Sequence, residues 1–273
     1  MDKLYLSVDI EGVTGIVDWI ETEIGEAQGA YFRKQMTKEA AAACEAAVAA
    51  GVKELLVKDA HGSGRSIDPS ALPRKARIMR AWTRDPYSMM AGLEPGYGGA
   101  FYLGYHSSAG SDGNPLAHTM NGSALELRVN GRLASELLLN SYTAASMGVP
   151  SLLVSGDAAL CADAEGLIPG IRTVAVSEGR GNASVSIHPE LAVERIGEAA
   201  AKAIADADAA AAAGRPGPMP AMPADFELEV LYKQHYLAYR ASFYPGAERR
   251  GPNLVRFRGR AWLEVLSFIH FAL

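Results

Sequence analysis

Short apolar segments alternate along this chain with segments of helix length, and this alternation constrains the fold more than any other feature of the sequence. Strands are predicted at residues 4–8, 54–57, 76–79, 100–103, 150–154 and 173–176. Helices are predicted between several of them, at residues 37–50, 135–147 and 189–207. Because the strands are apolar along their whole length, we expect a mostly parallel sheet flanked by helices, which is an α/β fold.

A proline-rich segment divides the chain near its C-terminal end. Residues 215–223 contain four prolines, which exclude both regular helix and central strand. We therefore predict a main α/β domain at residues 1–214, a linker at 215–223 and a small C-terminal α/β segment at 224–273. The last segment is short for a core of its own, so we expect it to dock on the main body or on a neighbouring subunit. A hairpin is predicted at residues 125–133, around Asn130-Gly131.

Charge and cysteine content restrict the class of partner. The net charge is −5, which argues against nucleic acid or an anionic membrane surface as the main partner. No apolar run approaches the length of a membrane span, and the first residues lack the pattern of a signal peptide. The two cysteines, Cys44 and Cys161, form no CxxC pair, so we expect two buried thiols in a reducing cytoplasm.

Three of the predicted strands end in side chains of the metal-ligand type. Asp9 and Glu11 follow the first strand, His61 follows the second and His106 follows a later one. In a parallel sheet, the carboxyl ends of the strands lie along one edge, where ligands bind. Asp9 and Glu11 are two residues apart on an extended chain, so their side chains point to the same side.

Two neighbouring carboxylates in one pocket repel each other unless a cation lies between them. Carboxylate and imidazole ligands together suit Zn²⁺, with Mn²⁺, Fe²⁺ or Co²⁺ as substitutes. Four or more ligands exceed the need of one catalytic zinc, which favours a two-metal site with Asp9 as the bridging ligand. Glu136, at the start of the helix predicted at 135–147, is a further candidate ligand. Its alternative role is to stabilise the positive end of that helix.

His118 is the candidate for a catalytic residue that is not a ligand. It follows a loop rich in glycine, serine and aspartate, and a histidine there can transfer protons or stabilise an oxyanion. The alternative is a histidine of a surface loop with no chemical role. We assign structural roles to His188, His235 and His270. The arginines between residues 249 and 260 are assigned a solvated or interface role, and the alternative is a site for a substrate carboxylate. The chain contains no GxSxG, HExxH or Walker A motif.

Together, these residues resemble the D-aminopeptidase (DppA-type) family of zinc metallopeptidases. The resemblance is carried by Ser7-x-Asp9-x-Glu11-Gly12 with Gly15, Asp59-Ala60-His61-Gly62, Gly104-Tyr105-His106, Ala117-His118-Thr119-Met120 and Glu136. It implies two zinc ions per subunit, bound by Asp9, Glu11, His61, His106 and Glu136. It further implies that Asp9 bridges the ions and that His118 is the catalytic residue. One departure is Ser135, where the family commonly has glycine, but serine suits a helix start.

The resemblance also implies an activity and an assembly. A member of this family is a cytoplasmic homo-oligomer, a self-compartmentalising ring that is a decamer in the family. It removes N-terminal residues from short peptides, and D-amino acids are possible at that position. No nucleic acid or membrane partner is expected.

Two other functions remain open from the residues alone. One is a dinuclear metal hydrolase that acts on a non-peptide amide or a phosphoester, although Lys58 and Arg65 are the only cations in sequence near the ligands. The other is a ligand-binding α/β module in which the cluster is structural. A substrate panel with added metal separates the first from a peptidase, and metal analysis of the purified protein tests the second.

Overall fold

The computed structural model describes residues 1–273. Its strands are β1 (Lys3–Val8), β2 (Glu54–Asp59), β3 (Ala76–Met79), β4 (Gly99–Tyr105), β5 (Ala124–Val129), β6 (Arg132–Leu133), β7 (Ser151–Asp157), β8 (Arg172–Arg180), β9 (Ala183–Ser186), β10 (Phe226–Tyr232), β11 (Ala247–Arg249) and β12 (Leu254–Gly259). Its helices are α1 (Ala27–Ala49), α2 (Glu136–Ser146), α3 (Ala158–Leu167), α4 (Pro189–Ala212), α5 (His235–Ala241) and α6 (Trp262–Ala272). Three short 3-10 helices lie at Trp19–Glu21, Pro69–Ala71 and Ser88–Met90.

The first sheet has the strand order β3-β2-β1-β4-β7-β8-β9 and is parallel except for the pair β8–β9. Every residue of β4 and β7 is buried, so both faces of the sheet need cover. Leu4, Leu6 and Val8 of β1 pack in a core with α1 and α4 on one face. Tyr5 points to the other face, into a core with α2, α3 and α6. The predicted α/β fold with a mostly parallel, helix-flanked sheet is confirmed.

The second sheet is antiparallel and has the order β11-β12-β10-β5-β6. The predicted hairpin is confirmed as β5 and β6, and Asn130 and Gly131 adopt the positive φ angles of 48° and 80° that its tight turn requires. Strand β10 lies between β12 and β5, so residues of the C-terminal segment share this sheet with residues 124–133. The division at residues 214 and 223 stays a prediction.

The C-terminal segment contains the predicted order of strand, helix, strand and helix, with the short β11 in addition. Its last helix docks on the main body, where the indole N–H of Trp262 donates to the hydroxyl of Thr143 over 3.0 Å. Residues of α2, β5, β10 and α6 fill one continuous hydrophobic core. The expected docking of this segment is thus observed within one chain.

The start of α1 differs from its prediction. The helix begins at Ala27 rather than at Thr37. Thr37 does not cap a helix start, because its hydroxyl donates to the carbonyl of Arg33 one turn earlier over 2.8 Å. The predicted end is confirmed, since the helix stops at Ala49 and Gly51 follows with φ of 90°.

Two further expectations concern cysteines and membranes. Cys44 and Cys161 are both buried and unpaired, as predicted. None of the helices combines the length and the apolar character that crossing a lipid bilayer requires.

Candidate metal centre

The sheet order brings the predicted ligands together. Strand β1 lies between β2 and β4, so the residues that follow these three strands meet at one edge of the sheet. Asp9 and Glu11, which follow β1, lie at the centre of this group and are both 2% exposed. His61 and His106 approach from the two neighbouring strands.

Asp9 lies between the two imidazoles. Its Oδ1 is 3.3 Å from Nδ1 of His61, and its Oδ2 is 3.6 Å from Nε2 of His106. Nδ1 of His61 is also 3.0 Å from Oε2 of Glu11. The two oxygens of one carboxylate therefore face two separate groups of ligand atoms.

Glu136 enters the site at the first residue of α2. Ser135 caps that helix, because its hydroxyl accepts a hydrogen bond from the Leu138 amide over 3.2 Å. Oε2 of Glu136 lies 3.4 Å from Nε2 of His106, and Oε1 accepts a hydrogen bond from the amide of Met120 over 2.7 Å. The negative charge of Glu136 thus stabilises the N-terminus of α2, and its carboxylate also faces the imidazole of His106.

His118 joins the same side of the site. Its ring stacks on the ring of His106 with 4.3 Å between centroids, and its Nε2 lies 3.6 Å from Oε1 of Glu136. Nδ1 of His118 donates to the carbonyl of Leu116 over 2.9 Å. In the neutral ring the proton is therefore on Nδ1, which leaves the lone pair of Nε2 free to accept a proton or to bind a metal.

Two groups of three donors each have ligand atoms within 4.8 Å of one another. They are Asp9, Glu11 and His61, and His106, His118 and Glu136. Mixed carboxylate and imidazole groups of this kind suit zinc. The geometry places His118 among possible ligands, so distance alone does not separate a ligand role from a catalytic role for this residue.

One buried atom tests whether a metal fits. Nε2 of His106 is buried and has no hydrogen-bond partner, although Nδ1 donates to the carbonyl of Ser107 over 2.9 Å. Unpartnered polar atoms are rare in protein interiors and call for an explanation. With its proton on Nδ1, His106 directs an unshared electron pair toward Asp9 and Glu136, as a zinc ligand must.

Burial and charge act in opposite directions on the titratable groups. Burial and the neighbouring charge of Glu11 raise the pKa of Asp9 well above its ordinary value. Burial also opposes ionisation of Glu11, but the imidazole of His61 outweighs it and lowers the pKa of Glu11. Burial lowers the pKa of His61, whereas the carboxylates of Glu11 and Asp9 raise it to about 11.

In the group of His106, His118 and Glu136, burial and neighbouring charges also compete, but the pKa values of the two histidines shift in opposite directions. The pKa of His106 rises to about 10, because the charge of Glu136 outweighs burial. The pKa of His118 is lowered by burial and by the charge of His106. Without a metal, His61 and His106 are therefore the cations that neutralise the carboxylates, while His118 is the neutral imidazole.

Two polar residues that the sequence analysis missed hold the ligands in place. Asp157, the last residue of β7, accepts hydrogen bonds from the amide and the hydroxyl of Ser107, over 2.7 Å and 2.5 Å. The side chain of Asn114 donates to the carbonyl of Glu11 over 3.1 Å. The sequence contains a signal for Asp157, since this residue lies three positions after the apolar run predicted as a strand at 150–154. Asn114 lies in a loop without hydrophobic periodicity, so the sequence contains no signal for its role.

Four of the five predicted ligands, Asp9, Glu11, His61 and Glu136, line a cavity of about 420 Å³ together with His118, whereas His106 is fully buried and does not reach it. The cavity wall includes residues from distant parts of the chain that the sequence analysis did not connect with the site, namely Trp19, Trp82, Arg84, Asn121 and His270. His270, for which the sequence predicts a structural role, lies in this wall. His188 has the structural role predicted for it, because its Nδ1 accepts the Glu190 amide at the start of α4.

Comparisons with known proteins agree with this geometry. A family model described as D-aminopeptidase matches residues 2–271. A D-aminopeptidase of Bacillus subtilis (strain 168) is 31% identical over 264 residues, which are 96% of this chain and 93% of that protein. A solved structure, described as the Zn-dependent D-aminopeptidase DppA from Bacillus subtilis, a self-compartmentalizing protease, superposes with a TM-score of 0.89 at 29% identity. The match covers 99% of this chain and 97% of that one.

Proposed function

Since this chain belongs to the D-aminopeptidase family, we propose that it is a zinc-dependent aminopeptidase that removes N-terminal residues from short peptides. The membership confirms the resemblance that the motifs indicate. The observation that carries the proposal is the buried Nε2 of His106, which faces two carboxylates and has no hydrogen-bond partner. A purely structural histidine at this depth would have its second nitrogen paired.

We propose that Asp9, Glu11, His61, His106 and Glu136 bind two zinc ions. The two oxygens of Asp9 face different imidazoles, which supports Asp9 as the bridging ligand. Bound zinc supplies a Lewis acid that polarises the scissile carbonyl and lowers the pKa of water. The ligands themselves are held by hydrogen bonds on their far sides, such as the one from Asn114 to the carbonyl of Glu11, which keeps their geometry fixed.

His118 is the proposed catalytic residue. Its Nε2 faces the cavity side of the site with a free lone pair, since Nδ1 is engaged by Leu116. In this state the imidazole can take a proton from the attacking water and deliver it to the leaving amine. The Trp19 ring packs against this imidazole in a T-shaped arrangement, with 5.1 Å between the centroids, and limits the orientations that the imidazole can adopt.

Metal analysis combined with kinetics tests the ligand set and the role of His118. We expect about two zinc ions per chain in the wild type, and loss of zinc together with activity in His106→Ala. In His118→Ala we expect the zinc to remain while peptide hydrolysis falls at least ~100-fold. The exposed His235 gives a control, because His235→Ala should change neither quantity. A His118→Ala protein that loses one zinc would make His118 a ligand, and one with full activity would remove it from the mechanism.

The stereochemistry of the substrate is testable with the same protein. The family name and the relatives point to substrates with D-amino-acid N-termini. We therefore expect hydrolysis of short peptides, including those with a D residue at the N-terminus, and no hydrolysis of phosphoesters. A panel of L- and D-dipeptides and a phosphoester, each with added Zn²⁺, distinguishes a peptidase from a dinuclear hydrolase of another class.

We propose that the protein assembles into a self-compartmentalising homo-oligomer, as the structural neighbour is described to do. The C-terminal segment supports this, because it exposes four large aromatic side chains: Tyr236, Tyr239, Phe243 and Phe271. We call this group the aromatic patch. Exposed apolar groups of this size commonly mark protein interfaces. Sedimentation velocity tests the assembly, and a monomer at micromolar concentration would contradict it.

A cytoplasmic location is proposed as well. It is supported by the two free, buried thiols Cys44 and Cys161, which suit a reducing compartment. Cell fractionation with an antibody against the protein tests it, and recovery from an oxidising compartment would contradict it.

A further inference from the structure

One stretch of the cavity wall has an unusual backbone. In residues 81–88, which we call the rim loop, Ala81, Arg84 and Ser88 have φ angles of 61°, 67° and 50°. Residues with side chains seldom adopt this left-handed region. Such backbone persists where surrounding contacts hold it, and it concentrates at ligand-binding sites.

Contacts with the turn that carries His61 hold the rim loop. The buried ammonium group of Lys58 donates to the carbonyl of Ala81 over 2.9 Å and lies 4.1 Å from the ring centroid of Trp82. The indole N–H of Trp82 donates in turn to the carbonyl of Gly62 over 2.8 Å. The loop is therefore fixed relative to a proposed zinc ligand rather than free to move as a surface loop.

Arg84 is the only lysine or arginine that lines the cavity. Its side chain is exposed and forms neither a hydrogen bond nor an ion pair within this chain. The other ionisable residues of the wall are histidines, of which His61 and His118 lie in the candidate metal centre, and carboxylates, which are Asp9, Glu11, Glu23, Asp85 and Glu136. Three of these carboxylates are proposed zinc ligands, so their charge is neutralised at the metal centre and Arg84 is left as the free cation of the wall.

A guanidinium group presents a planar pair of N–H donors that matches a carboxylate. The substrate of an aminopeptidase has its N-terminal amide bond at the metals, and its chain continues from there along the cavity. In a short peptide, the next charged group is the C-terminal carboxylate. A cavity of about 420 Å³ is at the small end of the range for ligand pockets, which suits a peptide of a few residues.

We propose that Arg84 binds the C-terminal carboxylate of a dipeptide or tripeptide substrate, so that the enzyme recognises both ends of the peptide. This proposal rests on the aminopeptidase function above and names its substrate class. Peptides with a free carboxylate are then better substrates than the same peptides with a C-terminal amide. Arg84 acts in substrate binding and takes no part in the chemical step.

Paired substrates test the proposal. The probes are an alanine dipeptide and its C-terminal amide, each in L and D forms, with the zinc-loaded wild type and Arg84→Gln. We expect Arg84→Gln to raise KM for the free acid roughly 10- to 100-fold with little change in kcat. For the amide, KM should change less than about threefold. The exposed Arg74 lies outside the cavity wall, so Arg74→Gln is the matched control and should leave both substrates unchanged.

Equilibrium binding separates this proposal from the proposed function. Calorimetric titration of the zinc-loaded His118→Ala protein, in which slow hydrolysis leaves the peptide intact, with the same dipeptide and amide should show the same loss of acid preference when Arg84→Gln is added. Equal losses for acid and amide, or no loss for either, would overturn the role of Arg84. If the wild type binds the acid in preference to the amide but hydrolyses neither, the peptidase function fails while the carboxylate site stands.

Discussion

Asp9 is 2% exposed, and its two carboxylate oxygens lie 3.3 Å and 3.6 Å from two different imidazoles. The imidazoles of His61 and His106 favour the charge of Asp9, but burial and the charge of Glu11 outweigh them and raise its pKa, so the ionised carboxylate calls for a further cation. Both imidazoles have raised pKa values in the absence of metal, so metal binding must release protons from them. Asp9 thus contacts a histidine of each of the two donor groups in the candidate centre.

Glu39 is a buried carboxylate outside the proposed ligand set, and it predicts a pH effect on stability. Burial raises its pKa from 4.5 to about 7, although Gln35 and the amide of Thr14 donate hydrogen bonds to it. Between pH 4.5 and about 7, the folded chain therefore binds more protons here than the unfolded chain does. Its contribution to the free energy of unfolding falls as pH rises through this window and is constant above it.

Glu39→Gln should remove that dependence. We expect the wild type to lose on the order of 3 kcal/mol more unfolding free energy than Glu39→Gln between pH 4 and pH 8. Urea denaturation of the metal-free proteins measures the difference. Glu45, exposed on the same helix, supplies the control variant Glu45→Gln, which should follow the wild type. Parallel pH profiles for the wild type and Glu39→Gln would refute the assignment.

At the scale of elements, the start of α2 links stability with the site. Ser135 caps the helix, and the next residue is Glu136, whose carboxylate faces His106. The close approach between the segment that follows β1 and the end of β4 has a similar effect, since a Cβ atom on Gly12 would lie 1.7 Å from the carbonyl oxygen of Tyr105. Secondary structure therefore sets the ligand positions through a few terminal residues.

The cap at Ser135 gives a prediction with an internal control. Ser135→Ala removes the acceptor of the Leu138 amide and should lower the unfolding free energy by about 1 kcal/mol. Ser135→Gly should lower it by only a few tenths, because glycine is itself a favoured residue at the N-cap position. Thermal unfolding of both variants, followed by circular dichroism, measures the order. Equal losses in the two variants would show that the hydroxyl does not act as a cap.

At the scale of the whole molecule, the two sheets have different structural roles. The first sheet presents the ligands at its carboxyl edge, and the second packs with α2 and α6 behind the site. The C-terminal segment also places His270 in the cavity wall and exposes the aromatic patch. It therefore contributes to the core, to the site and to the proposed subunit interface at once.

The aromatic patch predicts where subunits meet. Phe243 and Phe271 are 71% and 68% exposed, so the double variant Phe243→Glu, Phe271→Glu should fold but place charges in an apolar interface. We expect sedimentation velocity to show smaller species than for the wild type. Val185, 55% exposed on β9, provides the control Val185→Glu, which should assemble normally. An unchanged assembly in the double variant would place the interface elsewhere.

Much of the candidate site could be predicted from local sequence pattern. An apolar run fixes a buried strand, and in a parallel sheet the ends of adjacent strands share one edge, so Asp9, Glu11, His61 and His106 follow from strand positions alone. The start of α1 could not be predicted in this way. Threonine is a common N-cap residue, but the hydroxyl of Thr37 donates to the carbonyl of Arg33 inside a helix that has already begun at Ala27.

The sequence by itself determined the approximate positions of six strands of the first sheet, the hairpin turn and the types of side chain that can bind a metal, because each depends on near neighbours in the chain. Only the tertiary structure decided that Trp82, Arg84 and His270 share a cavity with those ligands. Their positions depend on the paths of loops and on the docking of α6, which distant contacts such as that between Lys58 and Ala81 fix. Such contacts leave no periodic trace along the chain, since the residues that form them are neighbours only after folding.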